Sequence, residues 1–431
     1  MAAASISLFV IFFVLIILSI PIAISLALST IISLLFLGGL DSIPLILIPQ
    51  KLFASTDAFS LLAIPYFIFA GNIIVEAGIA SRLVQFFYSF THTITGGMAH
   101  VCTLACMFFA ALSGSSAANA AAIGKAMIPQ MEKHNYDRAF SGALIAAAGC
   151  IGMIIPPSIA MVVFAMTAEV SVAKLFLGGF IPGVIIGLGI MIVTYMVSKK
   201  NGYVGSGRKL DIKEIMGSFK DAFWALTLPV IVLGGIYLGI FTATEAAAIS
   251  VFYSIFLGII YREINMEKIW NAAKISFIES STIILLMGCA AIFGWLMVSL
   301  SIPQKVASGI LGLSTNKLVI MFLITFIYLI AGCFANPSAA IVLLVPIFLP
   351  LVQKLGIDLI YFGVFTVVAL SIGMITPPVG PDLFVITPIA GVSFESIVLK
   401  VIPFILVMII VTIILIFLPG LITFLPDVFL N

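Results

Sequence analysis

Two helix-length apolar segments of this chain are each interrupted by adjacent prolines, within IGMIIPPS (Ile151 to Ser158) and IGMITPPV (Ile372 to Val379). Each proline pair removes two backbone donors and clashes with the preceding helical turn, so the helix has to unwind there. Hydrocarbon offers no partner for the freed carbonyl groups, and such backbone is tolerated only where it lines a ligand site or a water-filled cavity. The two interruptions therefore indicate buried sites inside a membrane-embedded bundle.

The composition supports this environment. Hydrophobic residues make up 63% of the 431 residues, charged residues only 8%, and the mean hydropathy is +1.34. These values predict an all-α polytopic membrane protein. The formal net charge of +2 argues neither for nor against a nucleic-acid partner. Because the sequence has no basic patch with interleaved aromatic residues, such a partner is not expected.

The apolar segments differ in length, and this difference predicts their roles. Full spans are predicted near 5–20, 21–39, 58–77, 174–197, 222–241, 243–260, 277–300 and 396–425. Shorter paired segments predict re-entrant hairpins near 97–131 and 318–353, which turn at SGSSAAN and FANPS. Each hairpin precedes a Pro-Pro-broken helix, near 139–169 and 359–391.

The same pattern predicts the domain organisation. Residues 58–197 and 301–395 contain the hairpins and the broken helices, and we expect them to form a transport domain of two repeats. Residues 1–57 and 198–300 are predicted to be scaffold spans, and 396–431 a C-terminal span. A constant shift of 221 positions also pairs Asp137 with Asp358 and Pro129 with Pro350, so duplication is the simplest explanation.

The distribution of cationic residues predicts the orientation in the membrane. The most basic loop contains Lys199, Lys200, Arg208, Lys209, Lys213 and Lys220, and cytoplasmic loops collect such residues. Counting spans from this loop places both termini in the periplasm and the two hairpins on opposite sides of the membrane. The repeats are therefore predicted to be inverted, as in carriers that work by alternating access.

Each hairpin tip is predicted to face the helix break that follows it and to form a sodium site there. Hydroxyl groups, freed carbonyls and the C-terminal ends of half-helices favour a hard cation such as Na⁺ and no transition metal. The candidate ligands are Gly114, Ser115, Ser116, Ile155, Pro156 and Pro157 in the first repeat and Asn336, Pro337, Ser338, Thr376, Pro377 and Val379 in the second. The alternative is that these residues only allow kinks and tight helix packing.

The same region contains the candidate substrate ligands, Asn119, Ser158, Ser338 and Thr376. Asp382 lies in the half-helix after the second break, where it is predicted either to hold a cation or proton or to cap that half-helix. Lys125 is predicted to attract an anionic substrate or, in the alternative interpretation, to extend its side chain to the cytoplasmic surface. Glu279 lies near the start of a predicted span and is expected to be structural.

No Walker motif is present, because Gly124-Lys125 is followed by Ala126, where Ser or Thr would bind magnesium. Transport would therefore draw on an ion gradient.

Five segments together resemble the large membrane subunit of tripartite ATP-independent periplasmic (TRAP) transporters. They are LLAIPYFIFAGNIIVEAGIASRLV, SGSSAANAAAIG, GMIIPPSIAMVVFA, GIFTATEAAA and GMITPPVG. The resemblance implies an elevator-type, sodium-driven importer of organic acids, with the cation sites at the tips and breaks named above. It also implies a periplasmic substrate-binding protein and a small four-helix membrane subunit, which we expect to be a separate chain in the bacterial inner membrane. Pro381-Asp382 departs from the smaller or amide pair expected after PPVG.

The resemblance implies substrates such as C4-dicarboxylates, sialic acid and other sugar or keto acids, and we favour sialic acid or another sugar acid. One alternative is a stand-alone sodium-coupled dicarboxylate symporter or antiporter that needs no binding protein. A second alternative is an intramembrane hydrolase that uses Ser115 or Ser116 with His92 or His100.

Overall fold

The computed structural model describes residues 2–38, 46–205, 207 and 210–430. This part of the chain contains twenty α-helices and no strand, which confirms the all-α prediction. Arg208 and Lys209 of the predicted basic loop, and residue 39 of the predicted second span, lie outside the described residues.

The helix bounds, in chain order, are as follows. They are α1 (Ala2–Ile17), α2 (Ile22–Gly38), α3 (Leu47–Thr56), α4 (Ala63–Glu76), α5 (Ile79–Thr91), α6 (Gly97–Ser113), α7 (Ser116–Lys133), α8 (Arg138–Gly149), α9 (Ile159–Ala168), α10 (Val172–Asn201), α11 (Ile212–Tyr237), α12 (Ala243–Ile260), α13 (Met266–Ser299), α14 (Ile302–Leu313), α15 (Lys317–Phe334), α16 (Pro337–Lys354), α17 (Leu359–Gly373), α18 (Pro381–Ala390), α19 (Phe394–Phe417) and α20 (Gly420–Phe429). Short 3-10 turns at Phe59–Leu62 and Cys150–Met153 precede α4 and follow α8.

Among the described residues, eight helical segments are long and apolar enough to cross a membrane. They are Phe59–Glu76, Val172–Asn201, Ile212–Tyr237, Ala243–Ile260, Met266–Ser299, Lys317–Phe334, Pro337–Lys354 and Phe394–Phe417. Together with several shorter apolar helices, they make the chain a multi-pass membrane protein.

Both hairpins and both broken helices occur in the predicted order. Helices α6 and α7 form the first hairpin, and α8 and α9 form the broken helix that follows it. Helices α15 and α16 form the second hairpin, followed by α17 and α18. The predicted division into scaffold and transport domains remains a prediction.

The two repeats also begin their broken helices in the same way. Asp137 caps α8 by accepting from the Ala139 amide at 3.1 Å, and Asp358 caps α17 by accepting from the Tyr361 amide at 2.7 Å. Asp137 additionally lies 3.9 Å from the Lys400 ammonium of α19. The pairing of Asp137 with Asp358 in sequence therefore corresponds to the same cap at the start of each broken helix.

Two details differ from the sequence prediction. The predicted span near 396–425 is two helices, because Leu418 leaves the helical region (φ −124°, ψ 67°) before Pro419. A residue that precedes proline is sterically biased away from helical conformation, which separates α19 from α20. Helices α3, α5 and α14 were not predicted, because each is shorter than a membrane span.

The halves α8 and α17 lie at the centre of the bundle. Every residue of α8 from Ala139 to Gly149 is buried, and so is every residue of α17 from Tyr361 to Gly373. In contrast, α13 and α19 expose large apolar side chains such as Phe277. A helix that is apolar and buried on all sides belongs to the core of a bundle, so protein surrounds the breaks.

In the second repeat, the hairpin helix α15 packs closely against α17, the first half of the broken helix, at Gly332. A Cβ atom added at Gly332 of α15 would lie 2.6 Å from the Leu370 carbonyl oxygen and 3.1 Å from the Gly373 Cα atom of α17. Both atoms belong to the backbone and cannot rotate away, so only glycine allows this contact.

We expect Gly332→Ala to lower the stability of the protein by about 1–3 kcal/mol, because the methyl group forces the two helices apart. The midpoint of thermal unfolding of the purified protein measures this loss. Gly234→Ala in α11 is the matched control, since a Cβ there meets nothing within 4 Å. Alanine should leave stability unchanged or raise it by up to about 1 kcal/mol. Equal midpoints for the two variants would contradict the close packing of α15 on α17.

Candidate functional site

The first hairpin tip is a two-residue connection that contacts the segment after the first break. Gly114 has a left-handed conformation (φ 64°), and a Cβ there would lie 2.9 Å from the Pro157 carbonyl oxygen. Its own carbonyl accepts a hydrogen bond from the Ile159 amide at 3.3 Å. Ser115 then caps α7 by accepting from the Ala118 amide at 3.5 Å. Glycine is needed here both for the positive φ and for the close approach.

The second hairpin tip contacts the second break in an equivalent way. The Gly380 amide donates to the Cys333 carbonyl at 3.2 Å, and the Cys333 thiol donates to the Thr376 carbonyl at 2.9 Å. Asn336 caps α16 by accepting from the Ser338 amide at 2.9 Å. Each tip therefore lies beside the break that the sequence assigned to it, and the assignment of cations to these places remains a prediction.

The breaks themselves expose helix ends inside the bundle. After α8 the backbone continues as a 3-10 turn and a bent segment through Pro156 and Pro157 to Ser158, whose hydroxyl caps α9 by accepting from the Met161 amide at 3.3 Å. After α17 it passes Pro377 and Val379 before α18 begins at Pro381. Each break thus places the negative end of one half-helix near the positive end of the next.

Asp382 connects the two repeats. Its side chain is fully buried and accepts from the Ser116 hydroxyl at 3.2 Å and from the Cys150 thiol at 3.5 Å. Ser116 begins the second arm of the first hairpin and Cys150 follows α8, so both partners belong to the first repeat. Helix α18 has no side-chain hydrogen bond at its N-cap, Gly380, but Asp382 lies in its first turn, where a carboxylate is electrostatically favoured. The cation-binding role and the capping role of Asp382 both stay predictions.

The Asp382 carboxylate has no cationic partner among the described residues. The three ion pairs found in this part of the chain are Arg82–Glu263, Arg138–Glu132 and Lys400–Asp137. A buried carboxylate without a counter-charge is costly in an apolar interior unless it binds a cation or a proton.

The four predicted substrate ligands lie in different places. Ser338 lines a cavity at the hairpin tips. Asn119 is fully buried and donates to the Cys106 carbonyl at 3.0 Å and the Gly149 carbonyl at 3.3 Å. Ser158 is occupied by capping, and the Thr376 hydroxyl donates to the Ile372 carbonyl at 2.7 Å. Ser338 is thus the one of the four that lines the cavity.

That cavity has a volume of about 700 Å³ and lies between both hairpin tips and helices α2, α4 and α13. One wall consists of Ser113 to Ala118 and Asn336 to Ala339, which include the first turns of α7 and α16. Helix N-termini present free amides and a partial positive charge, so two of them converge on one anion-sized space. The volume is in the range of small-molecule sites.

The opposite wall was not predicted from the sequence. It contains Asn72 and Val75 of α4 and Glu279, Thr282 and Ile283 of α13. Glu279 was expected near the end of a span, but α13 already begins at Met266, so Glu279 lies well inside this helix. The sequence signal that could have identified this wall was the presence of Glu279 and Asn72 within apolar helices, because polar side chains in such segments are usually functional.

Comparison with known proteins assigns the family. Residues 9–421 match the family described as "Tripartite ATP-independent periplasmic transporter, DctM component". The isethionate TRAP transporter permease DctMQ of Oleidesulfovibrio alaskensis is 42% identical over 88% of this chain, which spans 60% of that protein. The C4-dicarboxylate TRAP large permease DctM of Pseudomonas aeruginosa is 38% identical, with 88% of each chain covered. The sialic acid TRAP large permease SiaM of Vibrio cholerae is 34% identical, with 89% and 90% covered.

A solved structure has the same fold. The YdaH transporter of Alcanivorax borkumensis superposes with a TM-score of 0.68 over 88% of this chain and 90% of that chain, at 15% identity. The hairpins, the broken helices and the cavity between them define a membrane transport protein rather than an enzyme. The chain belongs to the DctM family of tripartite ATP-independent periplasmic transporter components.

We expect Asn119→Ala to reduce the amount of folded protein rather than change substrate affinity. The substitution leaves the buried carbonyls of Cys106 and Gly149 without this donor, which costs about 1–3 kcal/mol each when no water replaces it. Thermal unfolding of the purified variant and the KM of uptake by the remaining folded protein separate the two roles. An unchanged unfolding midpoint with a raised KM would instead assign Asn119 to the substrate.

Proposed function

We propose that this protein is the large membrane subunit of a sodium-driven importer of small organic acids. The observation that carries the proposal is the cavity on which the N-terminal ends of α7 and α16 converge, beside two interrupted helices and the buried Asp382. An organic anion fits the partial positive charges of the helix ends. Sodium fits the oxygen atoms of the tips and breaks.

Sodium ions are proposed to bind at each tip and its break, as the sequence predicts. Helix interruption supplies carbonyl oxygens, and the tips add the hydroxyl groups of Ser115, Ser116 and Ser338. The carboxylate of Asp382 brings a full negative charge to the boundary of the first site. A cation bound here lowers the cost of burying that charge, which couples ion binding to the arrangement of the two repeats.

The substrate class follows from chemistry and from the relatives. Relatives are named for isethionate, C4-dicarboxylates and sialic acid, all of which are organic anions. A cavity of about 700 Å³ accommodates molecules of this size. We propose an organic acid of this kind, and a sialic or other sugar acid in particular.

An elevator movement is proposed for the translocation step. The cavity is bounded on one side by the hairpin tips and on the other by α2, α4 and α13. A bound anion would therefore lie between the hairpins of the predicted transport domain and the predicted scaffold helices α2 and α13, with α4 belonging to residues 58–197 of the predicted transport domain. Displacement of the hairpins and broken helices as one body would carry the anion and its cations past the static wall.

Two partners are proposed. A periplasmic binding protein would deliver the acid, and a small four-helix membrane subunit would support the scaffold. Several relatives are named large permease proteins, which fits the presence of a smaller subunit. The basic loop after α10, with Lys199 and Lys200, is proposed to lie in the cytoplasm, with both chain termini in the periplasm of a bacterial inner-membrane protein.

Reconstitution separates this proposal from a stand-alone symporter. Liposomes that contain the chain and its small subunit are given an inward sodium gradient and labelled isethionate, N-acetylneuraminate or succinate, with and without the purified binding protein. Uptake that requires both sodium and the binding protein supports the proposal. Equal sodium-driven uptake without the binding protein would establish the stand-alone carrier instead.

We expect Asp382→Asn to raise the sodium concentration for half-maximal uptake about tenfold, because it removes the negative charge but keeps the shape of the side chain and one of its two acceptor oxygens. Uptake is measured as a function of sodium concentration in the same liposomes. Asp427→Asn, on the exposed side of α20, is the control and should leave the curve unchanged. An unchanged sodium dependence of Asp382→Asn would exclude Asp382 from the cation site.

A further inference from the structure

The two walls of the cavity differ in chemistry. The wall made by the hairpin tips carries small residues and hydroxyl groups and includes the N-terminal ends of α7 and α16. The facing wall from α2, α4 and α13 is largely apolar, with side chains such as Ile68, Ile278 and Leu286. Among the described residues that line the cavity, Glu279 is the one charged side chain.

Glu279 is far from the start of its helix. Helix α13 begins at Met266, and at about 1.5 Å per residue Glu279 lies roughly 20 Å along the axis of this 34-residue helix. Its side chain is exposed and faces the cavity, and a carboxylate within an apolar helix is a functional candidate. The three ion pairs of the described residues do not include it.

Asn72 of the neighbouring helix α4 lies beside Glu279 and also lines the cavity. The Asn72 amide nitrogen also donates to the Ser276 hydroxyl at 3.0 Å, one helical turn before Glu279 on α13. Ser276 in turn donates to the Ala272 carbonyl at 2.6 Å. The amide is therefore held between the two helices, and its position beside the carboxylate is maintained by hydrogen bonds.

We infer that Glu279, together with Asn72, determines specificity by accepting hydrogen bonds from hydroxyl or amino groups of the substrate. The inference rests on the proposed function: the acid group of the substrate lies at the hairpin tips, and its remaining polar groups reach the opposite wall. The class selected is a monoanionic organic acid that bears hydroxyl or amino donors away from its acid group.

Two physical effects produce this selection. A second acidic group on the substrate would approach the Glu279 carboxylate inside the cavity, and the repulsion between like charges disfavours binding. An acid without donors would leave the carboxylate desolvated and unpaired, which a site built for hydrogen bonding penalises. An acid with hydroxyl groups avoids both costs.

Binding to the purified permease complex tests the inference directly, because the complex without the binding protein reports the specificity of the cavity alone. The probes are three acids with six carbon atoms: D-gluconate with hydroxyl groups, hexanoate without them, and adipate with a second carboxylate. Affinities are obtained from the ligand-dependent shift of the thermal unfolding midpoint in the presence of sodium. The unaltered complex should bind gluconate at least about tenfold more tightly than hexanoate or adipate.

Glu279→Gln removes the charge with little change of shape, so adipate should bind about tenfold more tightly relative to gluconate than in the unaltered complex. Glu279→Leu removes the acceptor and should reduce the preference for gluconate over hexanoate by a similar factor. Glu267→Gln is the control on the same helix, because Glu267 lies in the first turn and does not line the cavity. It should leave all three affinities unchanged.

The outcomes distinguish this inference from the proposed function. Sodium-dependent binding of the three acids with ratios that Glu279→Gln leaves unchanged would overturn the role of Glu279 and leave the organic-acid importer intact. Tighter binding of adipate than of gluconate by the unaltered complex would do the same. The absence of sodium-dependent binding of gluconate would overturn the inference, whereas the absence of sodium-driven uptake of isethionate, N-acetylneuraminate and succinate in the liposome assay would overturn the proposed function.

Discussion

The structure depends on satisfying interrupted backbone in the middle of a membrane protein. Two helices are broken by proline pairs, and the hydrocarbon around the bundle cannot accept or donate hydrogen bonds. The hairpin tips solve this problem with backbone contacts: the Gly114 carbonyl accepts from the Ile159 amide, and the Cys333 carbonyl accepts from the Gly380 amide. Gly114 and Gly332 are needed because any larger residue would collide with the backbone that they approach.

This solution has consequences for function. The same residues that satisfy the breaks place the starts of α7 and α16 at one cavity, so that the helix ends proposed to attract an anion lie beside the oxygen atoms proposed to bind sodium. Asp382 adds a link between the repeats, because it belongs to the second break but bonds to Ser116 and Cys150 of the first repeat. The charge of the Asp382 carboxylate therefore affects both repeats of the proposed transport domain.

Much of the fold was predictable because it depends on local chemistry. Proline pairs, small residues at the turns and the Asp caps at positions 137 and 358 act on their immediate neighbours, and the hairpins and breaks occur in the predicted order. Hydropathy, however, detects only segments long enough to span the membrane. It therefore missed α3, α5 and α14, and it joined α19 with α20 across Leu418 and Pro419.

The candidate site was predictable only in part. The sequence by itself determined which segments unwind, which turn and which carry the oxygen atoms, because these properties follow from a residue and its neighbours in the chain. Only the tertiary structure decided that the Asn119 amide nitrogen and the Ser158 hydroxyl make structural hydrogen bonds, that Asp382 meets Ser116, and that Asn72 and Glu279 face the hairpin tips across one cavity. These contacts join residues up to 266 positions apart, and such proximity results from the packing of whole helices, which no local pattern encodes.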